Sequence, residues 1–596
     1  MRVRWLLTLA CTGALAVVLS TPAWGQAPEA SEARVRSSFD KSDLLRRALH
    51  DELERGLAEI SLPGMPNPYF ISAALTDHEL RQVTASLGSI QTSIHRRWRD
   101  LQVSVRVGSY EFDNSNFMGG APSSWSRQIP FEDDYGVLRR SSWLLIDAGY
   151  KAATSSYEAK RARRADESQD EDRPASFSRV KPRQSVQDVA PQLPAQETYL
   201  TLARRLSAAL RDVPEIQDSG VVVLAATSRR TFVSTEGSDV VEPRAVFSVV
   251  AWAVTQAADG MLLVDYETFH ARRHEDLPAT ADMVASVEAI GQRLVQARVA
   301  EVVDNYSGPV LFEGAAAGQL IEHLFARHLS GTPPPETPMG ASPDQSPLAG
   351  RVGWGVLPRG FSVVDDPGLD RHHGTSLIGG YRFDDEGVAA ERVELVKDGK
   401  LRQLLMSRTP SKEFKASNGH GRSGYLGTVT GQVSNLVVRA RGVSRKALRA
   451  RLLREVRQQG LPYGLVVRRL DDPVATAMAW DQARTFRSGM GEALPNPVLL
   501  YKLRPDGIEE PLRGASLHAI RTDDLRDILA ASRSATVHHS VGLAAMAVLL
   551  GHSGTGGGLS VVAPDLLIRK ASVRKPTAPH RRPPILSRPM LDEPGR

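Results

Sequence analysis

The stretch Pro309-Val310-Leu311-Phe312-Glu313-Gly314-Ala315-Ala316-Ala317-Gly318-Gln319 decides how this chain is read. Pro309 to Phe312 is a short apolar run of strand character. Small residues then open a helix, which Leu320, Ile321, Leu324 and Phe325 continue at helical spacing. Metal-ligating imidazoles and carboxylates must stand about one turn apart to share a helix face. Only Glu313 carries such a group here; Phe312 and Ala317, at the flanking positions, carry none. The strand should be buried. Residues as small as Ala315–Gly318 cannot fill a cleft, so the helix start should lie close against another backbone.

Upstream, Glu197–Leu210 is amphipathic. Gly220–Thr227, Arg230–Thr235, Ala245–Thr255 and Met261–His270 read as strands, and Ala279 to about Val303 as a helix. Further towards the N-terminus, Asp40–Ile60 has helical spacing and Tyr69–Leu75, Arg81–Ser89 and Leu101–Tyr110 have strand character. Tyr135 to about Ala162 reads as a long helix burying Trp143, Leu144 and Leu145, followed by a linker over 163–196. Downstream, Gly331–Gly350 holds six prolines and reads as a mobile loop. From Val352 strands dominate, with Asp385-Glu386-Gly387, Lys397-Asp398-Gly399 and Asp506-Gly507 as hairpin signals and helices at Arg445–Gln459 and Asp523–Ser532. The expectation is an α+β protein: an N-terminal α/β domain over 38–330, then a mainly antiparallel β-rich domain over 351–571 and a strand-free tail over 572–596.

Residues 1–25 have the basic start, apolar stretch and Ala23-Trp24-Gly25 site of a secretory signal; the run is too short and too weakly apolar for a membrane anchor. Export to the periplasm or outside the cell is expected, with no stable membrane insertion. The only cysteine, Cys11, lies inside this segment, so the mature chain has no disulfide, Cys nucleophile or thiolate ligand. A formal charge of +6 over 596 residues, with no basic face evident, gives no reason to expect nucleic acid.

Other chemistry-bearing residues read more simply as structure. His270 and His274 have clamp spacing but follow a strand in a charged stretch, and a solvated turn is favoured. Glu322, His323 and His328 read as surface residues. His372-His373 and His538-His539 read as loop pairs. Gly419-His420-Gly421-Arg422-Ser423-Gly424 matches GxGxxG without its strand and helix, and Gly551–Gly558 lacks the Lys-Ser/Thr of a phosphate loop.

Several blocks in order resemble the TldD/PmbA family, also labelled modulators of DNA gyrase. They are Gly360-Phe361-Ser362-Val363-Val364-Asp365-Asp366-Pro367, Phe383-Asp384-Asp385-Glu386-Gly387, Val393-Glu394-Leu395-Val396-Lys397-Asp398-Gly399-Lys400-Leu401, Ser417-Asn418-Gly419-His420-Gly421-Arg422, Gly514-Ala515 and the segment from Gly557 to Ile568. The resemblance implies a dimer enclosing a proteolytic chamber. It also implies a His-Glu-x-x-x-His zinc helix in the active branch, with a cysteine ligand near the C-terminus. On this chain that helix becomes Phe312-Glu313-Gly314-Ala315-Ala316-Ala317, where only Glu313 is retained, in a catalytic or a merely structural role. The chain then looks like the PmbA/TldE-type branch: a non-catalytic subunit of a TldD-like peptidase acting on peptides, with zinc only in the active partner and none here. Asn418, Gly419, Gly421 and Gly557 are the candidate substrate-binding residues. The alternatives are a stand-alone exported peptide-binding protein, with the glycine loops lining its cleft, and a metallopeptidase whose metal site is rebuilt from His372, His373, His420 or His552.

Overall fold

Long hairpins account for the first half of the molecule. In the computed structural model, which describes residues 42–118, 124–165, 173–187, 191–337, 340–341, 346–424, 428–476, 494–518, 520–541, 558–575 and 584, helix α1 (Ser42–Glu59) precedes β1 (Pro68–Ser86) and β2 (Ser89–Val107). Leu87 and Gly88 close this hairpin at φ 51° and 83°, the left-handed pair whose twist suits two-residue turns. The sequence reading breaks β1 at its polar centre, yet the strand runs through. Asp77 pairs with Arg99 and Glu79 with His95 across the hairpin, so the charges are satisfied within the sheet. Strand β5 (Asp218–Ser234) is likewise one strand rather than two: Thr227–Arg230 stay in register with β6 (Asp239–Gln256).

With β3 (Ser124–Ile129), β4 (Gln184–Val186) and β7 (Leu262–Ala271), these strands form a sheet of order β3-β2-β1-β5-β6-β4, with β7 also on β6. Helices α3 (Gln196–Ala208) and α4 (Thr280–Val299) bury Tyr199, Leu206, Val287 and Ile290 against Val223 and Val249 on one face. Helix α2 (Tyr135–Ala165) buries Leu138, Leu145 and Ile146, but Trp143 and Leu144 are exposed, contrary to the expectation.

The second sheet contains β8 (Glu301–Val302), β9 (Tyr306–Phe312), β10 (Ser362–Asp365), β11 (Val393–Lys397), β12 (Lys400–Leu401), β13 (Asn435–Arg439), β14 (Gly464–Leu470), β15 (Pro497–Leu503), β16 (Glu509–Arg513), β17 (Ser516–His518), β18 (Ile528–Ser540) and β19 (Leu559–Arg574). Its order is β12-β11-β10-β13-β19-β9-β14-β15-β16-β8, with β17 and β18 on β19. Most pairs are antiparallel, so the α+β class holds; β13/β19, β9/β14 and β8/β16 run parallel. Strand β9, read from sequence as the end of a domain closing at 330, sits inside this sheet between β19 and β14. A continuous apolar run needs neighbours on both edges and cover on both faces, and only a central position supplies them. Helix α5 (Ala315–Leu324) covers one face with Phe312 and Val310. Helix α6 (Arg445–Gln458), capped by Ser444, covers the other over Leu311.

Three further readings are corrected. Asp523–Ser532 is not a helix: one 3-10 turn, Thr522–Asp527, leads into β18. The tail is not strand-free from 572, because Ser572, Val573 and Arg574 pair with β17. The proline-rich 331–350 loop is not wholly unpaired: Glu336 bridges to Phe117 and accepts Arg164 at 2.6 Å. The signal segment lies outside the described residues. No helix among the described residues is long and apolar enough to cross a membrane.

Candidate functional site

The β9–α5 junction is built as the sequence suggests, with a buried strand and small residues at the helix start. Val310, Leu311, Phe312, Ala316 and Ala317 have no exposure. Gly314 turns the chain at φ 60°, ψ −125°, outside the range of L side chains, and its N–H donates to Asp565 at 2.9 Å. A Cβ on Gly318 would stand 2.4 Å from the Cβ of His538, so the helix start does press on a neighbouring strand.

Glu313 does not face that packing. Its carboxylate takes Arg449 Nε at 2.6 Å and Nη2 at 2.7 Å, and Arg468 Nε at 3.4 Å. Both arginines also reach Glu509, at 3.0 and 2.6 Å. Burial raises the Glu313 pKa, but the two guanidinium groups outweigh it and hold the carboxyl below its ordinary range. A carboxylate held by two arginines is a poor general base and a poor metal ligand. With Phe312 and Ala317 offering no donor atom, residues 312–317 do not fit a zinc ion.

Sequence reasoning missed a second cluster. Glu322, read as a surface residue, is buried and hydrogen-bonds with His538 Nε2 at 2.9 Å and Ser540 Oγ at 2.9 Å. His538 and His539 lie on β18 rather than on a loop, and His270 is on β7 rather than in a solvated turn. His539 Nδ1 meets Ser560 Oγ at 3.0 Å, His270 Nδ1 meets Ser248 Oγ at 2.8 Å, and the two rings stand edge to face at 6.5 Å. Burial drives His270 down to about 3, with His539 and His538 adding to the effect, and drives His539 and His323 down to about 4. Burial opposes ionisation of Glu322, but the His538 hydrogen bond and the positive potential of His538, His323 and Arg327 together outweigh it and take it to about 2. Among the described residues no three His, Cys, Asp or Glu side chains are arranged to hold a metal ion. The β-branched pair Thr536-Val537 before His538 is the signal that would have placed the histidines on a strand.

The 417–424 loop brings Asn418, Gly419 and Gly421 together and engages each with the protein itself. Asn418 accepts from Met406 N at 2.8 Å and donates to Leu404 O at 2.9 Å. Gly419 sits at φ 72°, where a Cβ would stand 2.2 Å from Ala389 O. Gly421 N donates to Asp384 at 2.9 Å. Between the two glycines, His420 is fully buried and meets Asp365 at 2.9 Å. His372 and His373 form a separate pair with rings 4.3 Å apart. Gly557 and His552 lie outside the described residues.

Residues 305–473 match the family model for the PmbA/TldA metallopeptidase C-terminal domain. Over 91 residues, 15% of this chain, the sequence is 33% identical to a metalloprotease of Archaeoglobus fulgidus, and the match spans about a fifth (20%) of that protein's length. Solved structures share the fold. TldE of Thermococcus kodakarensis aligns with TM-score 0.56 and 13% identity over 88% of this chain and 100% of its own. A Thermotoga maritima protein described as a candidate modulator of a DNA gyrase gives 0.56 and 13% over 89% and 99%. A Bacteroides thetaiotaomicron protein with a similar description gives 0.55 and 12% over 90% and 99%.

Proposed function

We propose, from the premise that this chain belongs to the TldD/PmbA family, that it is an exported, non-catalytic subunit which pairs with a TldD-like peptidase acting on peptides. The observation that carries this reading is Glu313. The one acidic side chain at the family's metal-helix position is committed to Arg449 and Arg468, and the strand before it is sealed by Phe312. The position holds a structural ion-pair cluster. The TldE neighbour supports a partnered role.

The test is metal analysis and peptide hydrolysis on the purified mature chain, alone and co-expressed with an exported homologue that has an intact His-Glu-x-x-x-His helix. The expected result is neither tightly held zinc nor hydrolysis alone, and activity only in a stable complex. Stoichiometric zinc, with hydrolysis abolished in Glu313→Gln, overturns the reading. A strict monomer with and without the homologue points instead to a stand-alone peptide-binding protein.

A further inference from the structure

A cavity of about 480 Å³ lies between the β1–β2–β5 face and the Asp384–Gly387 turn, well away from the β9–α5 junction in sequence and in lining residues. That volume suits a small ligand. Ser72, Gln102, Arg106 and Arg230 line it from the sheet, Asp385 and Glu386 from the turn.

The charges of this lining are unevenly satisfied. Asp385 is neutralised by Arg244 at 3.2 Å and Arg422 at 3.3 Å, and also accepts Ser423 N at 2.8 Å. Arg106 has Asp113 at 2.9 Å. Arg230 has no such partner. It is 6% exposed, its Nη2 donates to the carbonyl oxygen of Asp385 at 2.7 Å, and its Nε meets no acceptor. Among the described residues no carboxylate oxygen lies within ion-pair reach of it. Burial lowers the Arg230 pKa to about 10, the direction expected of a desolvated cation that its neighbours compensate incompletely. Burial, with the Glu386 carboxylate adding to it, raises the Asp384 pKa, and burial also raises Glu386, so this corner holds its negative charge less readily than its composition suggests.

Asp385 and Asp384 favour the Arg230 cation from beyond ion-pair reach without offsetting its burial; such an under-compensated guanidinium costs free energy that an incoming anion would recover, and the planar fork of arginine matches a carboxylate. We propose that this cavity is a binding site for the carboxylate of a small polar ligand, a short peptide's C-terminus or a free organic acid, with Arg230 as the anchoring residue and Ser72 and Gln102 meeting the ligand's polar body.

Titration calorimetry on the mature chain tests this with N-acetyl-triglycine, its C-terminal amide and succinate. The expected result is binding of N-acetyl-triglycine or succinate, with the amide at least about tenfold weaker than its acid and Arg230→Gln costing at least about tenfold, one decade being about 1.4 kcal/mol. Arg230→Lys keeps the charge without the fork and falls between. Ser72→Phe, which puts a ring into the lining and keeps the Arg230 guanidinium, abolishes binding and covers the case in which Arg230→Gln does not fold. Preference for N-acetyl-triglycine assigns a peptide terminus, and preference for succinate a free acid. Equal affinity for acid and amide, no binding of either acid below about 10 mM, or affinity unchanged in both folded variants overturns the proposal.

Discussion

At the scale of single residues, the protonation of a few buried side chains sets how the protein responds to pH. The Glu313 carboxyl is held below its ordinary 4.5, so its contribution is present above that pH and fades as pH falls through the folded value. Glu313→Gln is expected to lower unfolding free energy at pH 7 by about 1–2 kcal/mol, a modest figure because Arg449 and Arg468 are a third exposed and solvent screens them. Urea denaturation checks it: the wild-type advantage should shrink from pH 5 towards pH 3. The histidine cluster acts in a higher window. His270, His323 and His539 are neutral in the fold and titrate near 6.5 when unfolded, so the unfolded chain takes up more protons below about 6.5 and stability falls on acidification until the folded values are reached. The melting temperature should drop steadily from pH 7 to 4.5. In the double variant His270→Gln/His539→Gln that slope should be visibly flatter, whatever the variant's stability at pH 7.

At the scale of elements, the β9–α5 junction offers a sign test. In an exposed helix Gly→Ala stabilises by about 1 kcal/mol. At Gly318 the added methyl meets the His538 Cβ at 2.4 Å, so Gly318→Ala should destabilise by about 1–3 kcal/mol instead. Thermal or urea unfolding decides, and a stabilised variant would refute the close approach. This junction was legible in the sequence because its apolar run and its small residues are contiguous. The polar centres of β1 and β5 were not. A stretch such as Asp77-His78-Glu79 looks like a turn until Arg99 and His95 arrive from the next strand. The Glu322–His538 pair was less legible still, since 216 residues separate partners that only the sheet brings together. The 417–424 segment reads as a loop throughout, yet Gly421–Ser423 is a short strand paired with Val429–Gly431, and the hydrogen bonds of the segment to residues 404–406 and 384 carry no local pattern.

At the scale of the molecule, the α+β class could be read from the pattern of strands and helices, and the resemblance to the TldD/PmbA family from ordered motifs. The division between the sheets could not, because β8 and β9 precede the motif-rich half yet pair within it. The subunit reading predicts that the mature chain, run on size-exclusion chromatography with light scattering, elutes above monomer mass, by itself or with its homologue. One topological fact reaches beyond the folded state. Strand β19, drawn from residues 559–574, lies between β13 and β9 in the middle of the second sheet. Until residues 559–574 have left the ribosome, one edge of β9 and one edge of β13 have no strand to receive them, and long-range pairing of this kind is slow. The second sheet therefore cannot close around its centre before that last strand arrives.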